Sequence, residues 1–384
     1  MLRRAAGWPY NGPYEWVPVP QPAIVYMNLI WQAYLQSRNA VIQDDCVASY
    51  GNSAAELEKV RSATVLADLS HFGVIYFSGE DAQSFLQGQL SCDVRAINPT
   101  VTRSAALYGG YCNPKGRMLA SFLIWHDSAG YAMQLPAALR VAIQKRLSMF
   151  VLRAKVKLTD SSDALVRIGV AGEHAEALLR EVLGAVPGSS LEVIHGQQGS
   201  VIRLEQNRFE LVIAPEQAPA VWERMSKDAT PVGASCWDWL EIKAGIPVIT
   251  VATQEQFVPQ MVNLEAIGGV SFQKGCYPGQ EIVARTQYLG KIKRRMVLAN
   301  IQPRPAMSAN TATPAARVAA GDELFSTDMG EQSSGMVVNA APAPEGGFDV
   351  LAVVQTSSIE SSKIYWMSLK GPALDLMPLP YLLD

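Results

Sequence analysis

The reactive side chains of this sequence are concentrated in Lys274-Gly275-Cys276-Tyr277-Pro278-Gly279-Gln280-Glu281. Gly268-Gly269-Val270-Ser271-Phe272-Gln273 precede it and Ile282-Val283-Ala284-Arg285 follow. Glycines and a proline around one cysteine predict a tight turn, with a new regular element starting at Gln280. An ammonium two residues from a thiol favours the thiolate, the form that attacks electrophiles and binds metals. Gln280 and Glu281 add an amide and a carboxylate. Such a turn suits transient iron ligation, an oxidised sulfur state or a mixed disulfide. The alternative is a cysteine buried in a structural turn, with Lys274 on the surface. A merely structural turn has no need of so many polar groups, so Cys276 and Lys274 are the candidate catalytic residues.

The other cysteines, Cys46, Cys92, Cys112 and Cys236, form no CxxC pair, and His71, His126, His174 and His195 form no i,i+4 pair. Zinc ribbons and ferredoxin spacings are thereby excluded as local motifs, and no metal site is assigned. Scattered cysteines in odd number fit a reducing compartment, so a cytoplasmic location is expected.

The elements that must position these groups belong to a chain of 384 residues, 49% hydrophobic and 17% charged, with a formal net charge of -3. That composition excludes wholesale disorder and suits two or three domains. A protein built to coat nucleic acid would be basic overall. No apolar run is long enough for a membrane helix. Residues 1–26 read as a Pro- and aromatic-rich extension, with Met27 as an alternative start.

Two segments echo each other, Val74 to Leu86 and Val166 to Leu179. Each has a β-rich run, a Gly-Glu turn and a helical Ala/Leu face, which predicts two related α+β halves. Further strands are expected at 121–125, 201–204 and 209–213, and helices at 137–150 and 218–227. Gln302 to Ala320, rich in Pro, Ala, Thr and Ser, reads as a loop. Short β-type runs at 296–301, 336–339, 348–354 and 364–367 predict a small C-terminal β-barrel.

The turn at 274–281 resembles the K-G-C-[FY]-x-G-Q-E signature of the YgfZ-type proteins, in the superfamily of the glycine-cleavage T-protein. The resemblance extends through Phe85 to Val94, Cys112 to Arg117, Ala244 to Ile249, Phe257 to Leu264 and Leu379 to Leu382, in the family's order. It implies an α+β, three-domain ring around a channel. The organisation it suggests is an extension (1–45), a first α+β domain (46–160), a second (161–235), a return segment carrying the signature (236–290) and a C-terminal β-barrel (291–384).

The resemblance also implies tetrahydrofolate, or a one-carbon derivative of it, as cofactor. Two aromatics of the family's folate site fall on Phe72, where tryptophan is usual, and on Trp237; a flat pterin stacks well on such faces. Gln280, Glu281 and Arg285 are further folate-binding candidates. The T-protein's catalytic aspartate falls on Ala120 or Ser121, and neither can act as a carboxylate base. Glycine-cleavage chemistry is therefore not expected. The function implied is support of iron–sulfur enzyme assembly or repair, with iron–sulfur client or assembly proteins as partners and Cys276 essential. A folate-dependent one-carbon transferase is the alternative, with Glu281, Asp238 or Glu241 as its base. A tRNA-modification factor is the other. Six basic residues from Lys274 to Arg295, against the single acid Glu281, offer a site for a folate glutamate tail, an acidic partner or tRNA, the last through Lys291–Arg295.

Overall fold

A computed structural model describes residues 27–98, 103–288, 290, 292–302, 317–361 and 363–383. The expected extension over residues 1–26, Lys291 and most of the Pro/Ala-rich loop lie outside them.

The echoing segments fold alike. Strand Phe72–Ser78 leads through Gly79 into helix Ala82–Gln87, and strand Val166–Ala171 through Gly172 into helix Ala175–Leu183. Both glycines take positive φ, +112° and +123°. A Cβ on either would lie within 2.6 Å of a backbone oxygen, that of Lys155 for Gly79 and of Ala63 for Gly172. Only glycine fits so close an approach in that conformation.

The likeness extends upstream. Strands Val65–Asp68 and Lys157–Asp160 each end in an Asp-x-Ser turn whose serine N–H donates to the aspartate carboxylate. Each strand then pairs with the other repeat. Val65–Asp68 joins Val166–Ala171, with Asp68 opposite Ile168, and Lys157–Asp160 joins Phe72–Ser78, with Asp160 opposite Ile75. The two halves thus exchange their lead-in strands.

A five-stranded sheet results, in the order Leu107–Cys112, Met118–Asp127, Gly130–Pro136, Phe72–Ser78 and Lys157–Asp160. A seven-stranded sheet runs Thr230–Val232, Val65–Asp68, Val166–Ala171, Arg208–Ile213, Gly199–Arg203, Glu192–Gly196 and Arg103–Ala105. Strand alternation divides their side chains between cores. Ile75 and Phe77 face helices Ala82–Gln87 and Ala137–Ser148. Ile168, Val170, Phe209 and Leu211 face helices Leu29–Ser37, Ala175–Leu183 and Ala218–Met225. Val74, Tyr76 and Leu123 of one sheet and Ile202 and Val212 of the other share a core between the sheets. The chain is therefore mixed α/β, with helices outside two facing sheets.

The C-terminal part is a curled six-stranded antiparallel sheet. Its order is Ile364–Trp366, Glu323–Ser326, Ser333–Pro342, Phe348–Gln355, Arg294–Ile301 and Leu374–Met377. A bridge between Tyr365 and Ala373 brings its two edges together. One face packs on the signature region and the other forms a core of its own.

Candidate functional site

The facing sheets do not close completely on each other. A cavity between them is walled by Phe72, Tyr108, Ser121, Gln134, Glu210 and Glu241 with aliphatic neighbours. Strand alternation aims these groups inward. On Arg208–Ile213, Phe209 and Leu211 take the helix side, so Arg208 and Glu210 point between the sheets. Gln134 Nε2 donates to Glu210 Oε2 at 2.9 Å. Arg208 Nη1 lies 2.8 Å from Glu241 Oε1. Two buried acceptors, Gln134 Oε1 and Glu210 Oε1, have no hydrogen-bond partner. Burial raises the Glu210 carboxyl to about 7, against the opposing pull of the Gln134 bond and the Arg167 charge.

An open chamber adjoins this cavity and shares Phe72, Pro136, Glu241, Ile246 and Val248 with it. His71, Asp238, Thr250 and Asn339 also line it. A second opening, on the side of Tyr108, Ile246 and Ile267, is lined by Glu205, Gln206 and Tyr381.

Phe72 stands in the cavity wall. Trp237 does not line it: its ring lies on the backbone of Gly169, in the core between the sheets, with the Arg208 guanidinium 5.7 Å away. Of the two positions onto which the resemblance carries the T-protein aspartate, Ser121 reaches the cavity and Ala120 faces the opposite core. Ser121 Oγ accepts from Ile249 N–H at 2.9 Å.

The signature turn gathers the other family-like segments around it. Ser91 Oγ donates to Gly269 O, and Ser271 N–H donates to Ser91 O. Gly279 is packed against the Asn113–Gly116 turn, and Gln260 Nε2 donates to Val283 O at 2.7 Å. Lys274 is buried within this junction. Its ammonium donates to Leu90 O at 2.5 Å and to Cys92 O at 2.9 Å, over the Tyr277 ring. Desolvation lowers it to about 8. Cys276 is exposed, whereas Cys92, Cys112 and Cys236 are buried; burial pushes their thiols up to about 12.

Gln280, Glu281 and Arg285 lie on helix Gln280–Tyr288, with Glu281 and Arg285 exposed. None of the three is among the residues lining the cavity or its chamber. The basic stretch is divided. Arg295 forms an ion pair with Glu265 and donates to Gln260 O; Arg285 and Lys293 are exposed. Among the described residues no group of three or more His, Cys, Asp or Glu side chains is arranged to hold a metal, and no helix is long and apolar enough to cross a membrane.

Sequence reasoning missed Glu210, Gln134 and Tyr108. The only signal was the pair Arg208/Glu210 alternating with apolar residues. That pattern reads as a solvated face until a second sheet is known to cover it.

An antiparallel sheet facing a mixed one, with a curled β domain behind them, matches the fold of an aminomethyltransferase. The crystal structure of glycine cleavage system aminomethyltransferase T from Bartonella henselae superposes with a TM-score of 0.70. It covers 92% of this chain and 98% of that one at 18% identity, a likeness of fold alone. Residues 45–271 match the family described as GCVT N-terminal domain. The tRNA-modifying protein YgfZ of Colwellia psychrerythraea is 38% identical over 242 residues, 62% of this chain and 72% of that protein. The protein of the same name from Sodalis glossinidius is 32% identical over 321 residues, 82% of this chain and 92% of its own. The chain belongs to the GCVT N-terminal domain family and, within it, to the YgfZ proteins.

Proposed function

We propose that this chain is a folate-binding accessory protein that supports assembly or repair of iron–sulfur enzymes in the cytoplasm, with Cys276 as its exchanging thiol. The observation that carries the reading is the pair of unmatched buried acceptors, Glu210 Oε1 and Gln134 Oε1, in a cavity walled by the rings of Phe72 and Tyr108. An unmatched buried acceptor costs about 1–3 kcal/mol unless a ligand donor reaches it. A pterin fits such a site: it is a flat ring for the aromatic walls, and its pyrimidine edge carries adjacent N–H donors for the carboxylate. Glu210 and Gln134 would hold that edge, and Phe72 and Tyr108 the ring. Bound tetrahydrofolate supplies a carrier for a one-carbon unit. Ser121, already engaged by Ile249 N–H, offers no base beside it.

Cys276 is open to partners while Cys92, Cys112 and Cys236 are shielded, which supports one exchanging thiol. A lone thiolate does not complete a cluster, so its partner brings the remaining ligands. The test is calorimetric titration with tetrahydrofolate under reducing conditions. Wild type binds; Glu210→Gln weakens binding about 10- to 100-fold, the worth of a hydrogen bond to a charged group; Cys276→Ala binds as wild type. Phe72→Ala weakens binding and, because Phe72 is also buried in the core between the sheets, lowers stability too. Trp237→Ala costs about 3–5 kcal/mol of stability, as a core residue does. Absence of binding by the wild type refutes the folate reading. Iron–sulfur enzyme activities unchanged by Cys276→Ala, in cells dependent on the protein, refute the thiol's role.

The relatives' name supports a second reading, in which tRNA is a partner. Within the basic stretch, Arg285 and Lys293 are exposed cations it could use. Affinity for tRNA then falls steeply with salt, and Lys293→Glu lowers it at every salt concentration.

A further inference from the structure

The chamber beside the cavity is lined by an imidazole that the folate reading leaves unused. His71 occupies the turn where the chain crosses from one sheet to the other, between strands Val65–Asp68 and Phe72–Ser78. That turn is held rigidly. Asp68 Oδ1 accepts from Trp31 Nε1 at 2.7 Å and from Ser70 Oγ at 2.8 Å. Phe72 N–H donates to Leu69 O, and Ala137 N–H donates to His71 O, both at 3.0 Å. The matching turn of the second repeat, Asp160-Ser161-Ser162, is followed by Asp163 in place of a histidine. The backbone geometry therefore does not require an imidazole there.

The ring lines the chamber that opens from the cavity, 4.4 Å from the Phe72 ring centroid to centroid. Its two nitrogens are shielded from water and neither has a hydrogen-bond partner. Nε2 is 3.5 Å from Asp238 Oδ1, longer than a hydrogen bond, on the half-exposed helix residue facing it. The charges around the imidazole are those of Asp238 on helix Ala234–Lys243, Asp68 on the preceding strand and Glu210 on the facing sheet. Anything anchored on Glu210 and too long for the inner cavity extends into one of two openings, and His71 borders the one past Phe72, which shares five lining residues with the cavity.

We propose that His71 is a ligand-contacting residue of this cavity and Asp238 its positioning residue. One imidazole nitrogen would face the bound folate where it extends from the inner cavity into the chamber. The other turns to the Asp238 carboxylate. Ligand binding would then change the proton held on the imidazole, and the half-exposed Asp238 would pass that proton to or from solvent. This would supply the proton acceptor that Ala120 and Ser121 do not provide. The inference rests on the folate reading.

The experiment is tetrahydrofolate titration by calorimetry in two buffers of different ionisation enthalpy, which gives affinity and the protons exchanged on binding. Wild type, His71→Gln, His71→Asn, Asp238→Asn and Glu210→Gln are compared from pH 5.5 to 8, with thermal unfolding of each as a check on folding. The expected result is about tenfold weaker binding by either His71 variant, and loss of the share of proton exchange that persists in Glu210→Gln. Asp238→Asn is expected to reduce that exchange with a smaller effect on affinity. If both folded His71 variants bind and exchange protons as wild type does, the inference is wrong and the ligand leaves on the Tyr381 side. No binding by wild type brings down the folate reading itself, a separate outcome.

Discussion

At the scale of single residues the cavity combines two opposed demands. Glu210 is buried among apolar walls, which disfavours its charge, yet the proposed folate site calls for a carboxylate facing donors. Burial raises its carboxyl from the ordinary 4.5 to about 7. The folded state therefore holds a proton between those values that the unfolded state has released. Stability of the ligand-free protein falls as pH rises from about 4.5 to about 7, by on the order of 3 kcal/mol in total. Urea unfolding at pH 5, 6, 7 and 8 measures that slope, and Glu210→Gln is expected to flatten it. Bound folate is expected to flatten it as well, because donors to Glu210 favour the charged form. The reactive turn shows a similar divergence between adjacency and contact. Lys274 and Cys276 are two positions apart, but the ammonium is directed to the carbonyls of Leu90 and Cys92 while the thiol lies at the surface.

At the scale of elements, the signature turn is a joint. Lys274 fixes one side to Leu90 and Cys92, and Gly279 fixes the other to Asn113–Gly116. Gly279 has φ +82°, and a Cβ there would lie 2.5 Å from Asn113 O and 2.6 Å from Gly116 Cα. Gly279→Ala combines left-handed strain with a backbone clash. The expected loss is about 2–4 kcal/mol, read as a lower unfolding temperature. Faster alkylation of Cys276 should accompany it as helix Gln280–Tyr288 loosens. An unchanged unfolding temperature would show that the turn is not held against the hairpin. The glycine–proline punctuation made this turn, and the start of a regular element at Gln280, readable in the sequence. The partners it joins are 160 or more residues away, beyond the reach of local pattern.

At the scale of the whole molecule, the exchange of lead-in strands makes the two α+β halves interdependent. Residues 46–160 alone keep Val65–Asp68 but lose Val166–Ala171, on which that strand pairs. Residues 161–235 alone lose Val65–Asp68 and Arg103–Ala105 from their sheet. Neither fragment is expected to fold by itself, while residues 27–290 unfold in one cooperative transition. Calorimetry and circular dichroism of the three fragments decide this. A cooperative transition in an isolated half would show that the exchanged strands are dispensable.

The sequence by itself determined the local elements and their kinship. Alternation placed strands at 209–213 and 348–354, within one residue of those observed, the Gly-Glu turns marked the repeat, and the cysteine turn announced a regular element from Gln280. These follow from steric rules that act over a few residues. Through resemblance it also singled out Phe72 as a folate-site candidate, and Phe72 stands in the cavity wall. Only the tertiary structure decided which polar faces were covered. Arg208 and Glu210 look like a solvated strand edge until the five-stranded sheet packs over them, and Trp237 looks like a ligand platform until it meets Gly169. Burial depends on what lies across the core, and in this fold the opposing surface comes from the other repeat.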